Sequence, residues 1–438
     1  MAKTDTLRTI KGCRRLEGEV VPPGDKSISH RAAILNGLAK GEASIDNFAQ
    51  GGDCLSTLRC LKALGVKIVK RGSQDSPTLL VSGTGETGLQ EASNVLDARN
   101  SATTMRLLGG LVASQPFLTV ITGDASLRSR PMGRLIEPLR LMGADVRGRG
   151  QDSFAPLVFR GKRLRGIDFT LPVPSAQIKS AILLAALFAR GNTVLHQKIV
   201  SRDHTERMLR QMGATLEGKG NSISLLPLTS PLKALNLRVP GDISSAAYFL
   251  VAAAIHPYAR IEIEDCGVNH TRTGIIDILL AMGAKLKIGH ERLEGGEPLA
   301  DIVVESSELK GIEVGGDIIP RLIDEIPVLA VAGCIAKGKT VIRDAGELRV
   351  KESDRIATVV NELSRLGAQI EPLPDGMIIH GGRLLSGAEV DSHGDHRLAM
   401  SLAIAGLIAR RETTIKHSQV AEVSYPAFWQ TLQQIAEY

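Results

Sequence analysis

The sequence predicts an α/β protein of two similar lobes, each made of three copies of one α/β unit, with the helices inside and the sheets outside. The chain has 438 residues, of which 43% are hydrophobic, enough for two or three ordinary domains. Two short patterns recur along it, and several of its helical stretches are apolar on every side. These three observations predict the repeated fold.

The first pattern, L-x-x-[LM]-G-[AV], occurs five times. Each copy predicts a helix that ends at its glycine and is followed by a strand. The glycines are Gly65, Gly143, Gly213, Gly283 and Gly367. The segment Leu432–Ala436 is a degenerate sixth copy.

The second pattern is a Ser, Asn or Asp followed by a helix rich in small apolar residues, a helix breaker and a β-branched strand. Six copies fill the chain, and they start at Ser27, Asn100, Ser175, Ser244, Asp324 and Asp395. Three of the segments, Ala181–Ala189, Tyr248–Ile255 and Leu398–Ile408, have no polar face, so we expect these helices to be buried.

Two near-identical segments divide the repeats into lobes. Val21–Asp25 reads VPPGD and Val239–Asp242 reads VPGD, and each joins a strand to a Pro-Gly breaker. Three units lie between them and three follow. We therefore expect an N-terminal lobe over residues 24–241, a C-terminal lobe over residues 1–23 and 242–438, and an active site in the cleft between them.

Composition points to a small anionic ligand and a reducing compartment. The net charge is +6, while Phe, Trp and Tyr make up only 3% of the chain, too few for the stacking surfaces that bind single-stranded nucleic acid. The five cysteines form no metal-binding motif, so we expect free thiols. Neither a signal peptide nor a membrane-spanning run is evident, which favours a cytoplasmic protein that binds no membrane.

Cations at the predicted helix starts are the main chemical signal. Helix N-termini attract anions and are the wrong end for Lys or Arg unless an anion is bound there. Such cations include Lys26, Arg31, Arg106 and Arg397. The run Arg349–Arg355 adds three cations and two carboxylates, which are candidate acid and base groups. Nucleotide-loop, serine-hydrolase and zincin motifs are absent from the sequence.

At these residues the sequence resembles the 5-enolpyruvylshikimate-3-phosphate synthases (3-phosphoshikimate 1-carboxyvinyltransferases), and the resemblance covers essentially the whole chain. The segments that carry it are Pro23–Arg31, Asn100–Arg106, Arg130–Gly133, Pro174–Gln177, Arg349–Arg355 and Gly394–Arg397. The resemblance implies the enolpyruvyl transferase fold, in which each lobe is an inside-out, barrel-like α/β domain. It also implies transfer of the enolpyruvyl group of phosphoenolpyruvate to the 5-hydroxyl of shikimate 3-phosphate, with release of phosphate through a tetrahedral intermediate, in the route to chorismate and the aromatic amino acids.

The resemblance also implies roles for individual residues, with no cofactor and no metal. Asp324 would be the base at the hydroxyl, Glu352 the proton donor to carbon, and Lys26 a bridge between both substrates. Shikimate 3-phosphate would be held by Lys26, Ser27, Arg31, Ser175, Ala176, Gln177, Ser201, Asp324 and Lys351. Phosphoenolpyruvate would be held by Lys26, Ala102, Arg130, Gln177, Arg355 and Arg397.

Departures from the common family pattern point to a glyphosate-insensitive subgroup. Ala102 stands where many members have Gly, and its methyl group would reduce the room for glyphosate at the phosphoenolpyruvate site. Val423–Pro426 replaces a segment that carries a Lys in many relatives, and Glu347 stands where many have Asn. His30 and the run Arg202–Glu206 also fit the subgroup.

Three alternatives remain at this stage. A UDP-N-acetylglucosamine enolpyruvyltransferase would share the fold, but the segment after Leu118 carries Arg128 and Arg130 in place of a cysteine. An RNA-phosphate cyclase is disfavoured by the low aromatic content. A non-catalytic α/β repeat scaffold would leave Lys26 and Glu352 as ordinary surface charges. The buried apolar helices leave no obvious exposed apolar patch that would indicate a dimer, so we expect a monomer.

Overall fold

The computed structural model describes residues 6–72, 77–85 and 88–438. Residues 1–5, which the sequence assigns to the C-terminal lobe, lie outside the described residues. The strands are β1 Arg8–Ile10, β2 Arg15–Val20, β3 Lys40–Asp46, β4 Lys67–Gly72, β5 Pro77–Thr84, β6 Leu96–Asp97, β7 Leu118–Thr122, β8 Asp145–Gly148, β9 Phe154–Arg160, β10 Asp168–Leu171, β11 Thr193–Gln197, β12 Leu216–Lys219, β13 Ser222–Leu225, β14 Leu237–Arg238, β15 Ala259–Gly267, β16 Lys285–Glu294, β17 Glu297–Glu305, β18 Glu313–Val314, β19 Lys339–Ile342, β20 Gln369–Leu373, β21 Gly376–His380, β22 Glu389–Asp391, β23 Thr413–Lys416 and β24 Ala436–Glu437.

The helices alternate with these strands along the chain. They are α1 Lys26–Leu38, α2 Gly52–Ala63, α3 Ala102–Val112, α4 Ala125–Ser129, α5 Gly133–Leu141, α6 Arg149–Asp152, α7 Ala176–Ala186, α8 His204–Gln211, α9 Ile243–Ile255, α10 Gly274–Ala281, α11 Ile319–Leu322, α12 Ile326–Ile335, α13 Arg355–Arg365, α14 His396–Leu407 and α15 Phe428–Ile435. Short 3-10 turns cover Gly316–Ile318, Gly346–Val350 and Ser418–Val423.

The chain forms two compact units. The N-terminal unit comprises Gly24–Pro240 and Leu293–Glu297, and the C-terminal unit comprises the chain up to Pro23, Gly241–Arg292 and Pro298–Tyr438. The sequence had placed Leu293–Glu297 in the C-terminal lobe. In the structure the side chain of Glu297 is 1% exposed and lies 2.9 Å from Nδ1 of His204, which ties this segment to the N-terminal unit.

The strands form six small mixed sheets, three in each unit, consistent with repeated units. In the N-terminal unit the strand orders are β14-β3-β5-β4, β6-β7-β9-β8 and β10-β11-β13-β12. In each of these a short strand lies parallel to its neighbour, and the next two pairings are antiparallel. The C-terminal unit repeats this order in β18-β19-β21-β20 and varies it in β16-β17-β15-β2-β24 and β1-β23-β22.

Two short strands lie in one unit while the chain that follows them enters the other. Strand β2 pairs with β15 of the C-terminal unit, and the chain then continues into α1 of the N-terminal unit. Strand β14 pairs with β3 of the N-terminal unit, and the chain then continues into α9 of the C-terminal unit. The crossings fall at the two Pro-Gly segments that the sequence had marked.

Helices α7, α9 and α14 contain the apolar segments that the sequence predicted to be buried. Every residue of α9 and α14 is buried, as are all residues of α7 from Ile178 to Ala186. In strand β9 buried residues alternate with partly exposed ones, so one face of that strand is buried. Each unit has its own hydrophobic core around its helices. The predicted burial of these helices is confirmed, while Phe188 and Ile408, just past the ends of α7 and α14, are partly exposed.

Candidate functional site

Three helix starts carry most of the predicted site residues of the N-terminal unit. Helices α1, α3 and α7 are capped by Asp25, Ser101 and Ser175, whose side chains accept a hydrogen bond from a first-turn backbone N–H. Such N-termini direct free N–H groups and a positive dipole toward an anion. We call the predicted residues of this unit the N-terminal cluster: Lys26, Ser27, Arg31, Ala102, Arg130, Ser175, Ala176, Gln177 and Ser201.

Arg31 joins α1 to α7 and is 3% exposed. Its Nε donates to the hydroxyl of Thr205 at 2.7 Å, and one Nη donates to Ser180 at 2.8 Å and to the carbonyl of Ala176 at 3.4 Å. The other Nη donates to the carbonyl of Ser27 at 2.9 Å. Burial lowers the pKa of Arg31 to about 10. All of these hydrogen-bond acceptors are neutral, and the charge of nearby Glu206 opposes the effect of burial on this pKa.

Three further hydrogen bonds connect α3 and the residue segment just before it to their neighbours. Arg106 donates to Oε1 of Gln177 at 2.5 Å, and the Gln177 amide nitrogen donates to the hydroxyl of Thr103 at 2.9 Å. Arg130 donates to Oδ1 of Asn100 at 2.8 Å. Together with the Arg31 contacts, these bonds bring the starts of α1, α3 and α7 and the segment before α5 into one region of the unit.

Lys26 is the first residue of α1, and its Nζ lies 3.3 Å from Oδ2 of Asp53 on α2. The Lys26 side chain is 23% exposed, so it reaches solvent from a carboxylate-paired position. Ala102 is the first residue of α3 and packs partly against the core. The structure places the lysine and the methyl group at the starts of two helices. The sequence had predicted this position for Lys26, and it had predicted a helix start at Asn100, two residues before Ala102.

Ser201 is buried, and both its hydroxyl and its carbonyl are hydrogen-bonded to neighbouring side chains. Its hydroxyl donates to Oε1 of Gln197 at 2.7 Å, and its carbonyl accepts from Nζ of Lys179 at 3.0 Å. Lys179 is fully buried and pairs with Glu206 at 2.6 Å. These bonds fix the loop that precedes α8.

The C-terminal unit brings its five predicted residues together around one carboxylate. We call Asp324, Lys351, Glu352, Arg355 and Arg397 the C-terminal cluster. Oδ1 of Asp324 lies 3.6 Å from Arg355 and 3.9 Å from Lys351, and Oδ2 lies 3.8 Å from Arg397. Three cations from two segments, the Arg349–Arg355 run and the start of α14, therefore lie within 4 Å of Asp324, just before α12.

Arg355, the first residue of α13, is 1% exposed and holds two carboxylates. Its Nε donates to Asp395 at 2.7 Å, and one Nη donates to Glu352 at 2.6 Å. Burial lowers the pKa of Arg355, but Asp395 and Glu352 outweigh burial and raise it overall. For Asp395, burial raises the pKa, and the charge of Arg355 reverses this so that the net pKa is lowered. The remaining Nη of Arg355 has no hydrogen-bond acceptor among the described residues.

Arg397, on the first turn of α14, is 6% exposed and lies between two neighbouring carboxylates. Asp324 is 3.8 Å away and Glu325 is 3.9 Å away, beyond hydrogen-bond distance. Burial lowers the pKa of Arg397, but Asp324, Tyr248 and Glu325 together raise it well above its usual value. Within the described ranges its guanidinium donates no hydrogen bond, so its donors remain free for an oxyanion.

Sequence reasoning left several partners of these residues off the list of site residues. Asp53, Asp395 and Arg272 each contact a predicted site residue or its neighbour, yet only Asp395 stands in a quoted motif.

The positions that depart from the family pattern lie in two 3-10 turns. Val423 ends one of these turns and is 37% exposed, and the nearby Tyr425 is buried against Phe249. Glu347 lies in the 3-10 turn before Lys351.

Among the described residues, no group of three or more His, Cys, Asp or Glu side chains is placed to hold a metal ion. No helix in the described part of the chain is long and apolar enough to cross a membrane.

Comparison with known proteins identifies the family. The sequence model of the EPSP synthases (3-phosphoshikimate 1-carboxyvinyltransferases) matches residues 10–432. The 3-phosphoshikimate 1-carboxyvinyltransferase of Herpetosiphon aurantiacus is 54% identical over 432 residues, which cover 98% of this chain and 99% of the relative. That of Roseiflexus castenholzii is 52% identical over 434 residues, covering 98% of this chain and all of the relative. A solved EPSP synthase from Acinetobacter baumannii superposes with a TM-score of 0.88 at 42% identity, covering 99% of this chain and 98% of that one.

The chain is thus a mixed α/β protein that matches the solved EPSP synthases, and it belongs to the EPSP synthase family. Its activity is that of a 3-phosphoshikimate 1-carboxyvinyltransferase in the shikimate pathway, so its substrates are shikimate 3-phosphate and phosphoenolpyruvate. This activity confirms the function predicted from the sequence.

Proposed function

We propose that the N-terminal and C-terminal clusters form one active site, in the cleft between two similar inside-out, barrel-like lobes. The lobes would be those predicted from the sequence, residues 24–241 and residues 1–23 with 242–438, except that Gly241 groups with the C-terminal unit and Leu293–Glu297 with the N-terminal unit. The repeated strand order of the sheets and the fully buried helices α9 and α14 support this architecture. The observation that carries the site is the meeting of Lys351, Arg355 and Arg397 at Asp324.

In this proposal Asp324 accepts the proton of the 5-hydroxyl as that oxygen attacks phosphoenolpyruvate. Glu352 delivers a proton to the methylene carbon, which becomes a methyl group and makes the adjacent carbon electrophilic. The new C–O bond gives a tetrahedral intermediate. Loss of a proton from the methyl group then restores the double bond as the C–O bond to phosphate breaks. Lys26 stabilises the phosphate charge and assists proton transfer.

The remaining residues of both clusters bind the two anions. Arg130, Arg355 and Arg397 hold the phosphate and carboxylate of phosphoenolpyruvate, because a guanidinium fork fits planar oxyanions. One Nη of Arg355 has no hydrogen-bond acceptor among the described residues, and the carboxylates near Arg397 lie at 3.8 and 3.9 Å, which supports this role. Arg31, a buried cation with neutral hydrogen-bond acceptors, would bind shikimate 3-phosphate together with Ser27, Ser175, Ala176, Gln177, Ser201 and Lys351.

The decisive experiment measures phosphate release with both substrates for Lys26→Met and Glu352→Gln. Each variant should lower kcat by about 10²- to 10⁴-fold, since each loses a group that acts on the reacting atoms. Lys337→Met is the matched control, because that lysine is a 69% exposed surface residue paired with Glu308. Unfolding free energies of all three should stay within about 1 kcal/mol of the unchanged protein.

The same pair of variants tests whether the two clusters serve one site, since Lys26 lies in the N-terminal unit and Glu352 in the C-terminal unit. Loss of turnover in only one of them would contradict a shared site. Loss of turnover in proportion to loss of stability would make both residues structural.

We also propose that the protein belongs to the glyphosate-insensitive subgroup and works as a monomer in the cytoplasm without a cofactor. Ala102 supports the first point, because its methyl group stands at the start of α3 within the N-terminal cluster. The five cysteines are thiols that form no disulfide in the described residues, as suits a reducing compartment.

A further inference from the structure

A buried group of four polar residues lies directly behind the C-terminal cluster. Asp242, Ser244, Arg272 and Glu325 are each 7% exposed or less. We call them the support group. Arg272 donates to Asp242 at 3.1 Å and to the hydroxyl of Ser244 at 2.7 Å, and it lies 4.0 Å from Glu325. The hydroxyl of Ser244 in turn donates to Oε1 of Glu325.

The support group ties three segments of the C-terminal unit together. Asp242 caps α9, where its side chain accepts from the backbone N–H of Ser244 at 2.8 Å. Arg272 lies two residues before the start of α10. Glu325 immediately precedes α12. Because each member bonds to another, the carboxylate of Glu325 is fixed from the side opposite to solvent.

Asp324 and Glu325 are neighbours in sequence with different surroundings. The Asp324 side chain is 14% exposed and faces Lys351, Arg355 and Arg397. The Glu325 side chain is fully buried and faces Ser244, Arg272 and Arg397. Arg397 is therefore shared between one carboxylate that reaches solvent and one that does not.

The position of Arg397 between two carboxylates matters for the balance of charge during the reaction. When Asp324 takes up the proton of the hydroxyl, one of the two protein carboxylates near Arg397 loses its charge. Glu325 supplies a second carboxylate beside Arg397 that takes no part in this proton transfer. Since Ser244 and Arg272 hold Glu325 at 3.9 Å, it cannot close onto Arg397 and occupy the donors that the substrate needs. Its charge also opposes ionisation of Asp324 and so strengthens that base.

We propose that Glu325 is a positioning residue, held by Ser244 and Arg272, that serves as the permanent counter-ion of Arg397 and leaves Asp324 free to act as the base. This inference rests on the roles proposed above for Asp324 and Arg397. It adds an ion pair, Arg272 with Glu325, to the residues on which the reaction depends.

The test is the pH profile of kcat for Glu325→Gln at saturating substrates. Without the negative charge of Glu325, the effect of the three cations facing Asp324 is no longer partly offset. The carboxylate of Asp324 then binds a proton more weakly. We expect the acid limb of the profile to move to lower pH by about 0.5 unit or more, and kcat at the optimum to fall about 10-fold because the base is weaker. Substrate ionisation is the same for both proteins and cancels in the comparison.

Glu362→Gln is the matched control. Glu362 is a 2% exposed carboxylate of the same unit that accepts from the backbone of Asp391 and lies 2.9 Å from His393, away from the support group. It should lower stability and leave the acid limb in place. An acid limb that moves equally in both variants would reduce the role of Glu325 to general stabilisation.

A second pair of variants keeps the test decisive if Glu325→Gln does not fold. Arg272→Met releases Glu325 toward Arg397, so the KM for phosphoenolpyruvate should rise about 10-fold or more, while Arg272→Lys should restore part of it. Unchanged KM values in both would overturn the inference. Asp324→Asn tests the role of Asp324 separately from the role of the support group. If this variant retains turnover, Asp324 is not the base. If it abolishes turnover while the Glu325 and Arg272 variants behave as the unchanged protein, only the role of the support group is wrong.

Discussion

At the scale of single residues, we expect the methyl group of Ala102 to weaken the binding of glyphosate. We expect Ala102→Gly to bind glyphosate about 10-fold more tightly or better, because one methylene-sized change in a pocket is worth about 1–3 kcal/mol. The KM for phosphoenolpyruvate should change far less, since the shorter substrate needs less room. The measurement is the inhibition constant of glyphosate against phosphoenolpyruvate for both proteins.

A control for this experiment is Ala427→Gly, which removes a methyl group at the exposed start of α15. It should leave glyphosate inhibition as it is. If the unchanged protein is inhibited as strongly as Ala102→Gly, the assignment to the insensitive subgroup fails.

The individual site residues divide into those that the sequence could and could not reveal. Lys26, Arg355 and Arg397 stand at helix starts, where a cation is unfavourable unless it meets an anion, so a local pattern marks them. Arg272 and Asp53 have no such mark. Arg272 lies 53 residues before its partner Glu325 and Asp53 lies 27 residues after Lys26, and only the packing of α9, α10 and α12, or of α1 and α2, brings each pair together.

At the scale of elements, local chemistry was sufficient to predict helix ends. Gly65, Gly143, Gly213, Gly283 and Gly367 all have positive φ, between 87° and 96°, immediately after α2, α5, α8, α10 and α13. Glycine adopts this conformation at little cost, which is why the L-x-x-[LM]-G-[AV] pattern marks each end correctly. The six predicted helix starts fall within two residues of α1, α3, α7, α9, α12 and α14.

Pairing between distant elements could not be predicted in the same way. Helices α3 and α7 approach so closely that a Cβ built on Gly110 would lie 2.1 Å from the carbonyl oxygen of Ala181. Nothing near Gly110 in the sequence marks it as a contact point. Likewise, the hairpin segment Leu293–Glu297 reads as part of its own lobe, and only the buried pair of Glu297 with His204 shows that it groups with the N-terminal unit.

At the scale of the whole molecule, the proposal of a monomer gives a direct measurement. Sedimentation at the concentrations used for the assay should give the mass of one chain, 46.7 kDa. The buried apolar helices leave little reason for association, because each is already covered within its own unit. A stable dimer mass that persists on dilution would contradict the proposal.

The strand β2 makes the C-terminal unit depend on the very start of the chain. Leu16 is fully buried in the core of that unit, opposite Ala259 of β15. Leu16→Ala should therefore destabilise the C-terminal unit by about 2–5 kcal/mol, through lost burial and the cavity left behind. The single tryptophan, Trp429, is buried in the same core, so its fluorescence during urea unfolding reports on this unit.

The midpoint of that fluorescence transition should move to lower urea in Leu16→Ala and stay in place in Leu384→Ala, which truncates a leucine of the same unit that is 62% exposed. The comparison separates lost core packing from any general effect of a shorter side chain. Equal midpoints in the two variants would mean that β2 contributes nothing to the core around Trp429. The core around Trp429 would then depend on its other members, among them Ile10 of β1 and the residues from Gly241 onward.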